Sequence, residues 1–140
     1  MKHLLEFSSY FGKRNDHLSD DEIKDIENFA DNLFKQYNID VVFKKHFIDQ
    51  ISNERNNNKP ITFEELENLF VRMATKAGNR IYNFNDEQTG VVRDFITKLN
   101  TPLSISRNVK NNKMKNLNMI TIMRKNKFIP NNSNDVVIDI

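Results

Sequence analysis

This chain of 140 residues has no cysteine and no tryptophan, and only three glycines and three prolines. Without thiols there are no disulfides, no thiolate metal sites and no cysteine nucleophile. Such usage is compatible with a reducing compartment. So few glycines leave no Gly-rich phosphate loop, and no Gly-x-Ser-x-Gly elbow occurs. No apolar run approaches the ~18 residues of a membrane helix, so no membrane partner is expected. The opening Met1-Lys2-His3-Leu4-Leu5 is too short and too weakly charged to read as a secretory signal.

Acidic residues are missing from one long stretch. The net charge is +2, yet from Phe95 to Asn134 there is no Asp or Glu. That stretch carries Lys98, Arg107, Lys110, Lys113, Lys115, Arg124, Lys125 and Lys127. The segment from Asp16 to Asp31 is acidic instead. A basic segment of this length attracts polyanions; the plainer alternative is a solvated, lysine-rich face.

What is present suits one domain. Hydrophobic residues make up 38% of the chain, eleven of them Phe, and the mean hydropathy is -0.66. Residues 1–18, with Phe7, Tyr10, Phe11 and the breaker Gly12, read as a peripheral N-terminal arm. Residues 19–140 read as a single α+β domain. Ser19 followed by Glu22 is a capping box. Ile23, Ile26, Ala30, Leu33, Phe34 and Tyr37 then recur at helical spacing to about Asn38. Val41-Val42-Phe43 is β-prone. His46 to Arg55 allows a short amphipathic helix. Asn56 to Pro60 is a loop. Thr62 with Glu65 forms a second capping box, and the helix it opens is expected to stop before Gly78. Glu64 and Glu65 are read as helix-surface carboxylates serving solubility and capping.

The remainder reads as strands: Val91–Ile96, Leu103–Arg107, Leu117–Met123 and Val136–Ile138, with turns at Asn100–Pro102 and Asn108–Asn116. Helices first and strands after give α+β, with N-terminal helices packed on a C-terminal antiparallel β-sheet of about four strands.

Two stretches hold chemistry. In Lys44 to Arg55, helical spacing puts His46, Asp49 and Gln50 on one side. A carboxylate can fix the tautomer of such an imidazole, and imidazoles ordinarily titrate near neutral pH. Lys44 and Lys45 stand at the helix entrance and Arg55 near its end, so this set suits hydroxyl activation and phosphate binding. The alternative is an ordinary surface histidine. In Thr121 to Phe128, a predicted central strand ends in Arg124, Lys125 and Lys127. Arg can hold a phosphodiester in bidentate fashion, and the acid-free context offers few ion-pair partners nearby. The alternative is an Arg at the sheet edge beside a solvated Lys. His3, His17 and His46 lie too far apart for a metal-ligand spacing, and no cofactor is expected.

A helix with His46 and a later Arg55, then Ile61-Thr62 opening a helix, then strands ending in Thr121-x-x-Arg124-Lys125, resembles the barnase–EndoU–colicin–RelE-like small ribonucleases, phage-encoded RegB-type members included. The resemblance runs from about Val41 to Ile140. It implies a metal-independent endoribonuclease of a tailed phage that cleaves RNA to a 2′,3′-cyclic phosphate. His46, Arg55, Thr121 and Arg124 would be catalytic, and Lys44, Lys45, Arg107, Lys125 and Lys127 would bind nucleic acid. Phage relatives often read His-x-x-Asp-Arg; here Gln50 replaces the Arg and brings no cation. Leu4-Leu5-Glu6 is similar to a prohead-protease site of packaged phage proteins, which implies the host cytoplasm or the virion as location and virion proteins as partners. The alternative is a non-catalytic phage virion or nucleic-acid-binding protein using the same basic sheet. A third reading has the acidic helix and the Phe residues of the arm bind a protein partner.

Overall fold

A computed structural model describes residues 18–52, 60–130, 132 and 134–140. Residues 1–17 of the expected arm, Arg55 and residues 56–59 of the expected loop therefore lie outside the described residues, whereas Leu18, assigned to the arm, is buried in the core. Helix α1 (Asp20–Lys35) opens on Ser19, which accepts from the Glu22 amide at 3.2 Å while Glu22 accepts from the Ser19 amide at 3.0 Å. Reciprocal capping of this kind satisfies two amides that a helix start otherwise leaves without partners. Asn38, at φ 61°, turns the chain out of α1 into strand β1 (Ile39–Phe43). A left-handed φ of this kind is one that Asn tolerates.

Helix α2 (Lys45–Ile51) is short, and it buries Phe47 and Ile51. Helix α3 (Phe63–Tyr82) opens on the Thr62–Glu65 capping box and runs past Gly78. The expectation that it stops there is corrected. Gly78 lies within the helix because the Tyr37 ring packs against it: a Cβ at that position would stand 2.6 Å from the ring. Close packing, not chain termination, is what this glycine provides.

The strands that follow are β2 (Thr89–Arg93), β3 (Leu99–Arg107), β4 (Lys115–Met119), β5 (Met123–Arg124) and β6 (Val136–Asp139). The architecture is α+β, with helices packed on a sheet. The sheet differs in detail from the expected four-stranded antiparallel one. Among the described residues it has six strands in the order β1-β4-β3-β2-β6, with β5 beside β3, and it is mixed. β1 runs parallel to β4 and β6 parallel to β2, while β3 is antiparallel to β2, β4 and β5. Parallel neighbours need a long connection between them, so no local pattern announces them.

Three strand boundaries also differ from expectation. The Leu117–Met123 run is not one strand: it breaks after Met119, between β4 and β5. The Val91–Ile96 run ends at Arg93, because the Asp94 carboxylate accepts from the Ile96 amide and the Thr97 hydroxyl and folds the chain into a turn. The expected turn at Asn100–Pro102 is strand: β3 passes straight through it. Pro102 is tolerated because its carbonyl, and hence its missing N–H, faces the break between β4 and β5, where it accepts from the Ile120 amide at 3.1 Å.

One face of the sheet carries the core. Ile39, Val41, Phe43, Leu117, Met119, Leu103, Ile105, Val92 and Ile138 are buried with the apolar stripes of α1 and α3. Phe43 packs on Phe47 with ring centroids 4.5 Å apart and stacks on Phe70 at 5.7 Å. The acidic helix α1 also protects the edge of β1. Asp31 accepts from the Val41 amide at 2.9 Å and Glu27 from the Phe43 amide at 2.8 Å. These carboxylates occupy backbone donors that a foreign strand would otherwise pair with.

Glu67 on α3 is buried, and its Oε1 meets no hydrogen-bond partner among the described residues. Burial, helped by the nearby Glu64 carboxylate, raises its pKa above the ordinary glutamate value. The folded state therefore holds the proton more tightly than the unfolded chain. Glu67 favours folding below the ordinary glutamate range, and that contribution is lost as pH rises through the raised value. Glu67→Met is expected to stabilise the protein by about 1 kcal/mol at pH 7. The gain should shrink as pH falls toward the acid range. Thermal melts at both pH values check this; an equal gain at both would show that charge is not the cause.

Candidate nucleic-acid interface

Alternation along a strand separates neighbours. Arg124 and Lys125, expected to act together, are separated: Arg124 ends β5, and Lys125, just beyond it, lines a hollow of which Arg124 is no part. Arg124 pairs with Leu99, whose side chain is in the core, so it enters the layer between sheet and helices. There its two terminal nitrogens meet both Glu65 oxygens at 2.9 Å each. It also donates to the carbonyls of Thr97 (2.9 Å) and Pro60 (3.3 Å). The Arg124 side chain is 8% exposed and that of Glu65 20%. Arg124 is thus a clamp joining β5, the start of α3 and the turn after β2. The acid-free segment does find an acidic partner, supplied by a helix 59 residues away in sequence.

Other predicted site residues are dispersed. His46 is exposed on α2, and its Nε2 lies 3.4 Å from Nε2 of Gln50; the contact is to this amide rather than to the Asp49 carboxylate. Lys44 and Lys45 are exposed at the start of α2, and the Lys44 amide donates to the Met119 carbonyl at 3.1 Å. Thr121 lies in the break between β4 and β5, where its carbonyl accepts from the Thr101 hydroxyl at 2.8 Å. Arg107, at the far end of β3, pairs with Asp86 at 3.2 Å. At ~3.3 Å per strand residue, Arg107 stands about 30 Å from Lys98. Lys115, from the same basic run, caps α3 by donating to the carbonyls of Tyr82 (2.6 Å) and Phe84 (2.8 Å).

What the fold does bring together is Lys125 and Lys127 with Lys98. They line a hollow of ≈ 400 Å³ with Arg93, Phe95, Asn100 and Phe128, and neither His46, Thr121 nor Arg124 is part of its wall. Two turns make the rim: residues 94–98 after β2, and residues 125–128 after β5. A small backbone frame locks them together. The Lys98 carbonyl accepts from the Lys125 amide at 2.9 Å and from Asn100 Nδ2 at 3.1 Å. The same Nδ2 donates to the Lys125 carbonyl at 2.8 Å. Arg93 donates to the Phe128 carbonyl at 2.9 Å, closing the far side.

The charges around the hollow are not equivalent. Arg93 is neutralised by Asp139 through contacts of 2.6 and 2.9 Å. That hydrogen-bonded pair holds the Asp139 carboxyl below its ordinary value and raises the Arg93 guanidinium. Asp94, the one acid in the wall, is buried and paired with Arg72. Lys98, Lys125 and Lys127 are exposed, and no carboxylate among the described residues pairs with them. Lys98 and Lys127 also have left-handed backbones, at φ 66° and 53°. A long side chain is held there at a cost of roughly 1–2 kcal/mol, which a glycine would avoid.

Among the described residues, no group of three or more His, Asp or Glu is placed to hold a metal ion, and no helix is long and apolar enough to cross a membrane. Lys98 and Phe95 were not singled out in the sequence. The acid-free run contained Lys98, but nothing local placed it across from Lys125. Comparison with family models, curated proteins and solved structures finds no match to this chain. The resemblance to small ribonucleases therefore rests on its own residues.

Proposed function

We propose that this protein binds nucleic acid, without turning it over, through the cleft formed by Lys98, Lys125 and Lys127. One observation carries the reading: three ammonium groups with no carboxylate partner among the described residues converge on one locked hollow. Lysine ammonium groups suit phosphate contacts that do not depend on sequence. The acids near the hollow support the same reading, since Asp94 is buried and paired with Arg72 and Asp139 is paired with Arg93.

The expected signature is salt dependence. For a single strand, log K falls by about 0.7 per phosphate contact for each tenfold rise in salt. Three contacts give a slope of about -2, measurable by anisotropy of a labelled oligonucleotide titrated at several NaCl concentrations. A slope near zero would exclude phosphate contacts. His46→Ala is expected to bind as the wild type does, and RNA incubated with the protein in EDTA should stay intact. Cleavage that disappears in His46→Ala would replace this reading with the metal-independent ribonuclease one.

A further inference from the structure

We infer that the cleft takes single-stranded rather than duplex nucleic acid, with one base stacked on the Phe95 ring. The inference rests on reading the cleft as a phosphate site, and it adds the class of strand and the residue that selects it.

Phe95 is the one exposed phenylalanine among the described residues; Phe29 and Phe128 are partly buried. Phe34, Phe43, Phe47, Phe63, Phe70 and Phe84 are all buried, whereas Phe95 is 55% exposed. Leaving aromatic surface in water forfeits about 25 cal/mol per Å², so its position needs a reason. The ring is also held in place. Asp94 grips its turn through the Ile96 amide and the Thr97 hydroxyl, and is itself anchored by Arg72. The Arg93 guanidinium lies 5.9 Å from the ring centroid, and it is fixed by both Asp139 oxygens and the Phe128 carbonyl. Phe95 is thus a supported aromatic surface beside three lysines on a common hollow.

That combination matches what a single strand presents. Its phosphates carry charge, and its unstacked bases offer ring faces to an aromatic side chain. A duplex offers the same phosphates but keeps its bases stacked inward, leaving Phe95 without a partner. The hollow of ≈ 400 Å³ is at the small end of ligand-sized pockets, enough for one base with its sugar. An anionic bilayer is the competing surface, since Ile96 and Ile129 are also exposed nearby. The lysines and Phe95 line a concavity, however, and a bilayer surface cannot enter one.

The chain has no tryptophan, so Phe95→Trp installs a single reporter at the proposed stacking position. Its emission should be quenched by an unstructured oligonucleotide, and not by heparin, by the same sequence as a duplex, or by phosphatidylserine vesicles. Phe95→Leu should weaken oligonucleotide binding about tenfold while leaving heparin binding and the melting temperature unchanged. If Phe95→Leu binds the oligonucleotide as the wild type does, yet Lys98, Lys125 and Lys127 variants lose it, stacking is refuted and the phosphate site stands. If the lysine variants also bind normally, the site itself is wrong. Equal affinity for duplex, or an emission shift of the Phe95→Trp reporter with vesicles alone, would overturn the single-strand assignment.

Discussion

Arg124→Ala is expected to lower stability by about 3 kcal/mol, a fall in melting temperature on the order of 10 °C for a domain of this size. The loss arises because the partner left behind is a part-buried carboxylate. Glu65 would keep its charge in the layer between sheet and α3, with the matching guanidinium gone. The carbonyls of Thr97 and Pro60 would lose their donor too. Arg124→Lys should recover only part of the loss, because one ammonium cannot meet two carboxylate oxygens as a planar guanidinium does. A double-mutant cycle with Glu65→Gln isolates the pair, since Gln can still accept from the Thr62 amide. The prediction also separates two roles for Arg124. If Arg124→Ala melted like the wild type but lost a nucleic-acid activity, Arg124 would belong to the site and not to the scaffold.

Replacing all three cleft lysines, as Lys98→Gly, Lys125→Ala and Lys127→Gly together, is expected to weaken oligonucleotide binding roughly 100-fold at ~0.1 M salt and to flatten the salt slope by about 2. The choice of glycine at two positions guards against a misfolding artefact. Lys98 and Lys127 have φ of 66° and 53°, a region that costs a non-glycine residue energy. The variant should therefore melt at or above the wild-type temperature while binding worse. A structural role predicts the reverse, because side chains that support a fold do not improve it when removed. Unchanged affinity with an unchanged salt slope would dispose of the cleft as an interface.

The two results depend on each other through the turn after β2. Arg124 donates to the Thr97 carbonyl, one residue before Lys98. Losing the clamp should loosen the rim that carries Lys98. Some weakening of binding in Arg124→Ala would thus come through position and not through lost charge, and the salt slope distinguishes these. A positioning effect lowers affinity at every salt concentration and leaves the slope nearly as it was.

Much of the fold was legible because its signals are local. The pairs Ser19–Glu22 and Thr62–Glu65 sit three residues apart, and a capping box needs nothing more distant. The stripes of α1 and α3 followed from helical spacing, and β1 and β6 from runs of apolar residues, whereas the run Leu117–Met123 concealed the break that ends β4 at Met119. The site was legible only in part. The basic run announced an anion-binding surface, and Lys125 and Lys127 do line the cleft. Lys98 and Phe95, also in its wall, looked like ordinary residues of a β-rich stretch. Asp94, whose side chain folds the turn that exposes them, gave no sign that it outcompetes the strand ladder.

By itself the sequence determined where helices start, which faces are apolar and where cations gather without acids, because those properties belong to residues a few positions apart. Only the tertiary structure decided which cations remain available. Strand alternation sent Arg124 inward to Glu65, a helix end took Lys115, and Arg107 met Asp86 at the far end of β3. Lys98, Lys125 and Lys127 were left facing one hollow. A charge is neutralised by whatever carboxylate lies within a few ångströms, and that neighbour is supplied by the packing of distant elements, not by the order of residues along the chain.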